Sequence, residues 1–381
     1  VQLALPFLTM KIAIFGLAVS SSWGNGHATL WRGLCRALAA MRHQIVFFEK
    51  DVPYYAAHRD LVNPDGWTLC LYSGWDAVRA QAERELADAD VGLVTSYCPD
   101  GLDATDLVLS SRARLRCFYD LDTPVTLQRL EQGERVPYIE LPPGPPLGSS
   151  LGPRGLAGFD LVLSYTGGAA LAELETRLGA ARTAPLHGCV DPRLHRPVEP
   201  TGRVYLASYL GTYSHDRQDM LETLFLEPAR RTPERAFALG GSLYPANFGW
   251  PANVHHLPHV PPSEHPAFYC SAALTINVTR APMARMGYCP SARLFESAAC
   301  GVPVLSDWWE GLDAFFEPGR EILVARSTEE ALDAMRRPAA ELAQIGRTAR
   351  RRALAEHTAM ARAQELVRLL EAAPRAHSMH A

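Results

Sequence analysis

Apolar residues fall into two alternating patterns along this chain: short unbroken runs, and longer stretches where they recur every three or four positions. Residues 11–16, Lys-Ile-Ala-Ile-Phe-Gly, have the length and near-continuous apolarity of a strand covered on both faces. A loop over 17–26 leads to a helical pattern at 28–42, and a second apolar run follows at 44–49. That β-loop-α-β order is the building block of a doubly wound parallel sheet. Further runs predict strands at 91–95, 115–119 and 161–164, with a helix over 75–86 before the first of them. Residues 140–155, rich in Pro, Gly and Ser, read as an ordered surface loop.

The pattern then repeats. Strands are expected at 203–208, 235–239, 272–278, 302–305 and 322–324, with a helix at 216–226. The Pro- and Gly-containing stretch 197–202 reads as the linker. This divides the chain into an N-terminal α/β domain over 10–197 and a C-terminal one over 198–356. From 328 onwards the chain reads as helical, and the amphipathic segment 357–372 is expected to pack back on the first domain. A length of 381 residues suits two cores better than one. The glycines after the first strand (Gly16, Gly24, Gly26) lie too far apart for the GxGxxG of a dinucleotide site, and no acid follows at the spacing a ribose needs.

With 48% hydrophobic and 20% charged residues the chain is an ordinary globular protein, and its net charge of -4 gives no reason to expect nucleic acid as a partner. Lysine occurs only at positions 11 and 50, so any phosphate-binding cations must be mostly arginines, which bind through a planar fork. Eight cysteines without a CxxC pair argue against a structural zinc site and against a disulfide framework. The first ten residues are apolar but lack the basic start of a signal peptide, and Met10-Lys11 reads as the natural start. No run approaches the roughly 20 apolar residues that cross a bilayer. The expectation is a cytoplasmic chain.

The densest chemistry lies at 290–307. Pro290 and Ser291 can start a helix, Gly301 can end it, and a buried strand follows. Arg293 and Glu296, three apart, share one face of that helix. Elsewhere Gly24-Asn25-Gly26-His27 precedes the first helix, where glycines admit a ligand to the backbone and helix amides favour an anion; the alternative is a tight turn capped by His27. Asp120 and Asp122 end a predicted strand, where open parallel sheets place their ligand crevice. Either one orients a substrate hydroxyl or both merely cap the helix that begins near Pro124.

Several stretches together resemble the CgeB-like branch of GT-B glycosyltransferases, related to the group-1 (GT4-type) enzymes. They are Gly24-Asn25-Gly26-His27-Ala28-Thr29, Tyr119-Asp120-Leu121-Asp122-Thr123-Pro124, Tyr165-Thr166-Gly167-Gly168, His187-Gly188-Cys189-Val190-Asp191-Pro192, Leu210-Gly211-Thr212-Tyr213, Asn277-Val278-Thr279-Arg280 and the 290–307 segment. The resemblance extends over nearly the whole chain from Met10. It implies a GT-B fold, two Rossmann-like domains facing each other across a cleft. The activity it implies is transfer of a sugar from a nucleoside-diphosphate sugar to an acceptor, with neither cofactor nor metal.

By the same resemblance, donor contacts fall on Glu296, Arg293, Arg280, Asn277, Ser291, Gly211, Thr212, Arg217, His259 and Val260. Glu296 would hold donor hydroxyls, and Arg280 with Arg293 would neutralise the leaving diphosphate. His259-Val260 would lie beside the base. His27 and Asp122 would carry the acceptor-side chemistry, with Gly24, Asn25, Gly26, Gly167 and Gly168 lining the same region. The histidine run 253–260 lacks an acid or cysteine at ligand spacing, and Asp120-Leu121-Asp122, a DxD string, falls in the wrong half to hold a donor's metal.

One departure is plain. Group-1 enzymes carry two glutamates eight positions apart, and the position eight before Glu296 is Tyr288. This keeps two other readings open: an epimerase or hydrolase of nucleotide sugars on the same scaffold, or a non-catalytic CgeB-like binding or assembly protein. The acceptor (glycan, lipid, protein or small molecule) is not identified. The arginines at 350–352 read either as a solvated face or as a dock for an anionic membrane.

Overall fold

A computed structural model describes residues 9–140, 155–200, 202 and 204–373. The loop expected at 140–155 lies almost wholly outside them, as do most of the residues before Met10. The chain divides into two compact units. The first comprises 1–21, 27–187 and 360–381; the second comprises 22–26 and 188–359. The chain thus passes into the second unit upstream of 197–202.

The first unit runs β1 (Lys11–Gly16), α1 (His27–Ala40), β2 (Gln44–Lys50), α2 (Pro53–Ala56), β3 (Thr68–Tyr72), α3 (Trp75–Ala87), β4 (Val91–Thr95), α4 (Gly101–Ser110), β5 (Leu115–Asp120), α5 (Thr123–Glu131), β6 (Leu161–Ser164), α6 (Ala169–Leu178) and β7 (Thr183–Pro185). Its strands form one parallel sheet in the order β3-β2-β1-β4-β5-β6-β7. β1 and β4 are buried almost throughout, as their unbroken apolar runs require. Trp31 of α1 packs edge-on against Phe47 and Tyr119, fastening that helix to the sheet.

The second unit contains β8 (Tyr205–Leu210), α7 (Gln218–Leu221), α8 (Glu227–Arg231), β9 (Phe237–Gly240), β10 (Val254–Leu257), α9 (His265–Cys270), β11 (Ala272–Asn277), α10 (Ala281–Met286), α11 (Ala292–Ala299), β12 (Val304–Ser306), α12 (Leu312–Phe315), β13 (Leu323–Val324), α13 (Thr328–Met335) and α14 (Ala339–Glu356). The order β10-β9-β8-β11-β12-β13 is again parallel throughout. The predicted helix at 216–226 is part of a longer helical stretch, with α7 and α8 joined by one wide π turn. Gly346 of α14 lies against Gly301, where a Cβ would meet the Gly301 carbonyl oxygen at 2.1 Å, so these two backbones touch only because position 346 is glycine.

A last helix, α15 (Ala359–Ala372), follows, and from Met360 it belongs to the first unit. Arg182 donates to the Ala372 carbonyl at 2.7 Å, fixing its end there. Among the described residues no helix is long and apolar enough to cross a membrane. Two of the three arginines at 350–352 are used within the protein: Arg350 donates to the Ala299 carbonyl and Arg352 to the Ala314 carbonyl, both at 3.1 Å.

Candidate functional site

In each sheet the strand order reverses once, and open parallel sheets bind ligands beyond the carboxyl ends of the strands at that point. In the second unit the reversal lies between β8 and β11. β8 ends at Leu210, directly before Gly211-Thr212, and β11 ends at Asn277. The start of α11 also lies here. Ser291 is its N-cap, its side chain accepting from the Arg293 amide.

Arg293 ties these ends together. Its Nε donates to the Leu210 carbonyl and one Nη to Asn277 Oδ1 at 2.6 Å, while the guanidinium carbon lies 4.8 Å from the centre of the Tyr209 ring. Only 7% of the residue is exposed, so its charge is stabilised by these acceptors and by the ring face in place of water. Asn277 Nδ2 donates in turn to Ser306 Oγ at 2.8 Å, extending the network to β12. A Cβ on Gly211 would lie 2.6 Å from the Tyr209 hydroxyl and 2.8 Å from an Arg293 Nη, so the guanidinium fits because position 211 has no side chain.

The other expected cations are engaged separately. Arg280 pairs with Asp216 at 2.9 Å, and Arg217 donates to the Thr212 carbonyl at 3.2 Å. In the absence of a ligand each of these arginines is thus held by its own protein partners. Sequence reasoning also passed over Asp307. Its Oδ1 accepts from the Thr279 amide at 3.1 Å and the Thr279 hydroxyl at 3.0 Å, bracing the loop that carries Arg280. Burial pushes its carboxyl up to about 6.

Glu296 is buried, at 5% exposure, and does not project openly from the helix face. Tyr269 donates to its Oε2 at 2.8 Å, His195 Nε2 lies 3.8 Å from Oε1, and His265 Nδ1 lies 3.8 Å from Oε2. Burial alone would raise its pKa. The charges of His195 and His265 and the Tyr269 hydrogen bond outweigh burial and hold the carboxyl below its usual value. These three neighbours lie 27 to 101 positions away in sequence, and no local spacing announces them.

The histidine run at 253–260 contains the edge strand β10, with His255 exposed and His256 reaching the Gly241 carbonyl at 2.9 Å. Beyond it, the His259 ring packs on Trp23 with centroids 4.6 Å apart, and Val260 is buried. Tyr288 sits in the left-handed region, at φ 47, and a Cβ on Gly311 would strike its ring at 2.5 Å. The position of the missing glutamate is thus filled by a packed aromatic.

In the first unit the order reverses between β1 and β4. His27 opens the helix after β1, Tyr97 follows β4, and Asp122 is the N-cap of the helix after β5. Tyr97 donates to Asp122 Oδ2 at 2.8 Å, and His27 Nε2 lies 3.6 Å from the same oxygen. Asp120 is fully buried and braces the turn, its Oδ1 accepting from the Asp122 amide at 3.1 Å and from Thr126 at 3.0 Å. Burial lifts its carboxyl to about 6. Gly24 has φ 61, and the buried Asn25 donates from its amide to the Ser22 carbonyl at 3.2 Å. Gly24, Asn25 and Gly26 group with the second unit, whereas His27 belongs to the first. Gly167 and Gly168 join β6 to α6, with Gly168 at φ 57.

Residues 217–368 match a family model described as glycosyl transferase-like. No curated protein matches the sequence. Among solved structures, sucrose-phosphate synthase from Thermosynechococcus elongatus aligns with a TM-score of 0.62 at 15% identity, covering 95% of this chain and 98% of its own. HepE from Anabaena, in complex with UDP and glucose, aligns with a TM-score of 0.66 at 12% identity, covering 95% of this chain and 100% of its own. An alpha-glucosyltransferase in complex with UDP and a 13-mer DNA containing a HMU base gives 0.66 at 10% identity, with 95% and 100% covered. The fold is that of the GT-B glycosyltransferases.

Proposed function

We propose that this chain is a glycosyltransferase of the group-1 type that binds a nucleoside-diphosphate sugar on its second unit. The observation that carries this reading is the set of groups at the β8/β11 reversal. Gly211, Asn277 and the capped start of α11 with Arg293 converge there, and a helix N-terminus with a cation beside it suits a diphosphate. The family match over 217–368 spans the same elements. Because HepE and the alpha-glucosyltransferase hold UDP, a UDP-sugar is the first donor to test.

In this reading Thr212 and Arg217 flank the phosphates, Arg280 joins them when it leaves Asp216, and Glu296 accepts from donor hydroxyls. His259 and Val260 lie beside the base. Charge on the departing diphosphate is stabilised by arginine and helix amides without a metal. His27, oriented by Asp122, removes the acceptor's proton, the carboxylate stabilising the imidazolium that forms. The acceptor itself stays unassigned.

A second reading, a binding protein of CgeB-like type without transfer activity, draws on the packed Tyr288 in place of the first glutamate. One thermal-shift panel addresses both: UDP, GDP, dTDP, ADP and CMP with their common sugars, on wild type and Glu296→Ala. A ligand at about 100 times its Kd adds roughly 2.7 kcal/mol of stability. Stabilisation by one nucleotide sugar, weakened in the variant, followed by its consumption with an acceptor extract, supports transfer. Absence of any nucleotide shift would overturn the donor site, and binding without turnover would favour the second reading.

A further inference from the structure

We propose that His195, His265 and Glu296 form a binding site for one divalent first-row transition cation, with zinc as the first candidate. The three side chains come from separate places in the second unit. His195 ends a turn whose amide donates to the Asp191 carbonyl at 2.9 Å, His265 opens α9, and Glu296 lies on α11. All are buried, and their ligand atoms lie within 4.8 Å of one another.

The spacing of the two nitrogens matches the chemistry. Zinc bonds of about 2.0–2.1 Å at tetrahedral angles set neighbouring ligand atoms about 3.3–3.4 Å apart. His195 Nε2 and His265 Nδ1 are 3.3 Å apart, at that ideal, while each lies 3.8 Å from a different oxygen of Glu296, so a cation would draw the carboxylate round to bring one oxygen to both nitrogens.

Orientation agrees as well. His265 Nε2 lies 3.2 Å from the Val260 carbonyl, which can only accept. That nitrogen therefore carries a proton, so in the neutral imidazole it is Nδ1 whose lone pair faces Glu296 and His195, and a cation binding there displaces any second proton. A metal-bound imidazole is held in the same way by a carbonyl on its far nitrogen. Tyr269 donates to Oε2 of the carboxylate at 2.8 Å and so fixes its orientation. Arg293, one turn earlier on α11, directs its guanidinium to Leu210 and Asn277. Two imidazoles and one carboxylate favour zinc, cobalt, nickel or copper over magnesium or calcium, and the 11% exposure of the His265 side chain gives a way in.

One consequence rests on the donor reading above, although the site does not. A cation held here draws the Glu296 carboxylate away from donor hydroxyls, so the bound metal lowers nucleotide-sugar affinity.

The test uses the full chain, stripped with a chelator and titrated with Zn²⁺ by calorimetry and with Co²⁺ by visible absorption. The expected result is one tight equivalent of Zn²⁺, a rise in Tm, and cobalt bands without sulfur-to-metal charge transfer. Binding should weaken at least about tenfold in His195→Ala and His265→Ala and persist in Cys270→Ser. Because His265→Ala also empties a buried position, His265→Gln is run beside it, with folding checked by circular dichroism. Lack of a stoichiometric equivalent in wild type would overturn the proposal and leave the two histidines as a hydrogen-bonded pair. Unchanged binding in a folded His265→Gln would overturn it too, placing the cation on other side chains. If zinc binds as expected while UDP-glucose affinity is indifferent to it, the metal site stands and the donor role of Glu296 falls.

Discussion

The hydroxyl of Tyr97 holds Asp122 at 2.8 Å from a backbone in the left-handed region, at φ 66. A bulky residue adopts that conformation at a cost, and keeps it where its surroundings dictate it. Here the ring packs against Tyr138 and His27, with centroids 5.7 and 6.0 Å away. Burial first, and the Asp122 charge second, raise the phenol well above its ordinary pKa, so it remains a donor at any working pH. Tyr97 is thus the positioning residue for the His27–Asp122 pair.

Tyr97→Phe keeps the ring and deletes the hydrogen bond. Bonds to charged groups contribute roughly 1.5–3 kcal/mol. The variant should lose about 1–2 kcal/mol in urea unfolding, and its transfer rate should fall about tenfold or more as Asp122 loses its brace. Nucleotide affinity should be unaffected, because the proposed donor groups lie in the second unit. A variant with the wild-type rate would show that Asp122 needs no such positioning.

Gly211→Ala tests the close approach at the end of β8. The new methyl would lie 2.6 Å from the Tyr209 hydroxyl, in a side chain that is 1% exposed, and 2.8 Å from Arg293. Overpacking of this kind costs roughly 1–3 kcal/mol. Displaced Arg293 should also weaken the nucleotide-induced Tm shift. Gly26→Ala, with open space around the added atom, serves as the control and should leave both readouts near wild type. Equal behaviour of the two variants would contradict the packing argument.

Much of the fold was legible because buried parallel strands announce themselves as apolar runs. β1, β4 and β6 lie where their runs put them. Among the described residues three strands went unread, each at a sheet edge: β7 is the three-residue Thr-Ala-Pro, β10 alternates half-buried and exposed residues around two histidines, and β3 carries the short apolar run Leu-Cys-Leu-Tyr but is only partly buried. The helix carrying Arg293 and Glu296 was visible from its cap and its terminal glycine. What Glu296 meets was not, since His195, His265 and Tyr269 reach it only through tertiary packing. Tyr97 carried no signal either, because its role depends on a backbone angle that composition does not encode.

Arg293→Lys separates geometry from charge. Lysine keeps the cation but lacks the fork that spans the Leu210 carbonyl and Asn277 Oδ1. At a site this buried, at least one acceptor loses its partner, at a cost of roughly 1–3 kcal/mol. The expected outcome is a lower Tm without ligand and a clearly reduced shift with UDP-sugar. Retention of both would mean that charge alone suffices at the β8/β11 reversal.

Asp307 gives a pH signature with a definite sign. Its carboxyl titrates near 3.8 unpaired and is pushed to about 6 by burial. Between those values the folded chain binds a proton that the unfolded chain has released, so this group's contribution is greatest at low pH and is lost as pH rises through 6. The full difference is on the order of 3 kcal/mol. The hydrogen bonds from Thr279 and Ser306 all end on Oδ1, so Asp307→Asn can keep them while removing the titration. Asp120, raised likewise to about 6, and His187, lowered to about 4 by burial, also move the absolute stability, in opposite directions. They cancel in the difference between variant and wild type. That difference, measured by urea unfolding from pH 4.5 to 7.5, should shift in favour of the variant as pH rises. A pH-independent difference would mean that the Asp307 carboxyl is already ionised at acid pH, contrary to its burial.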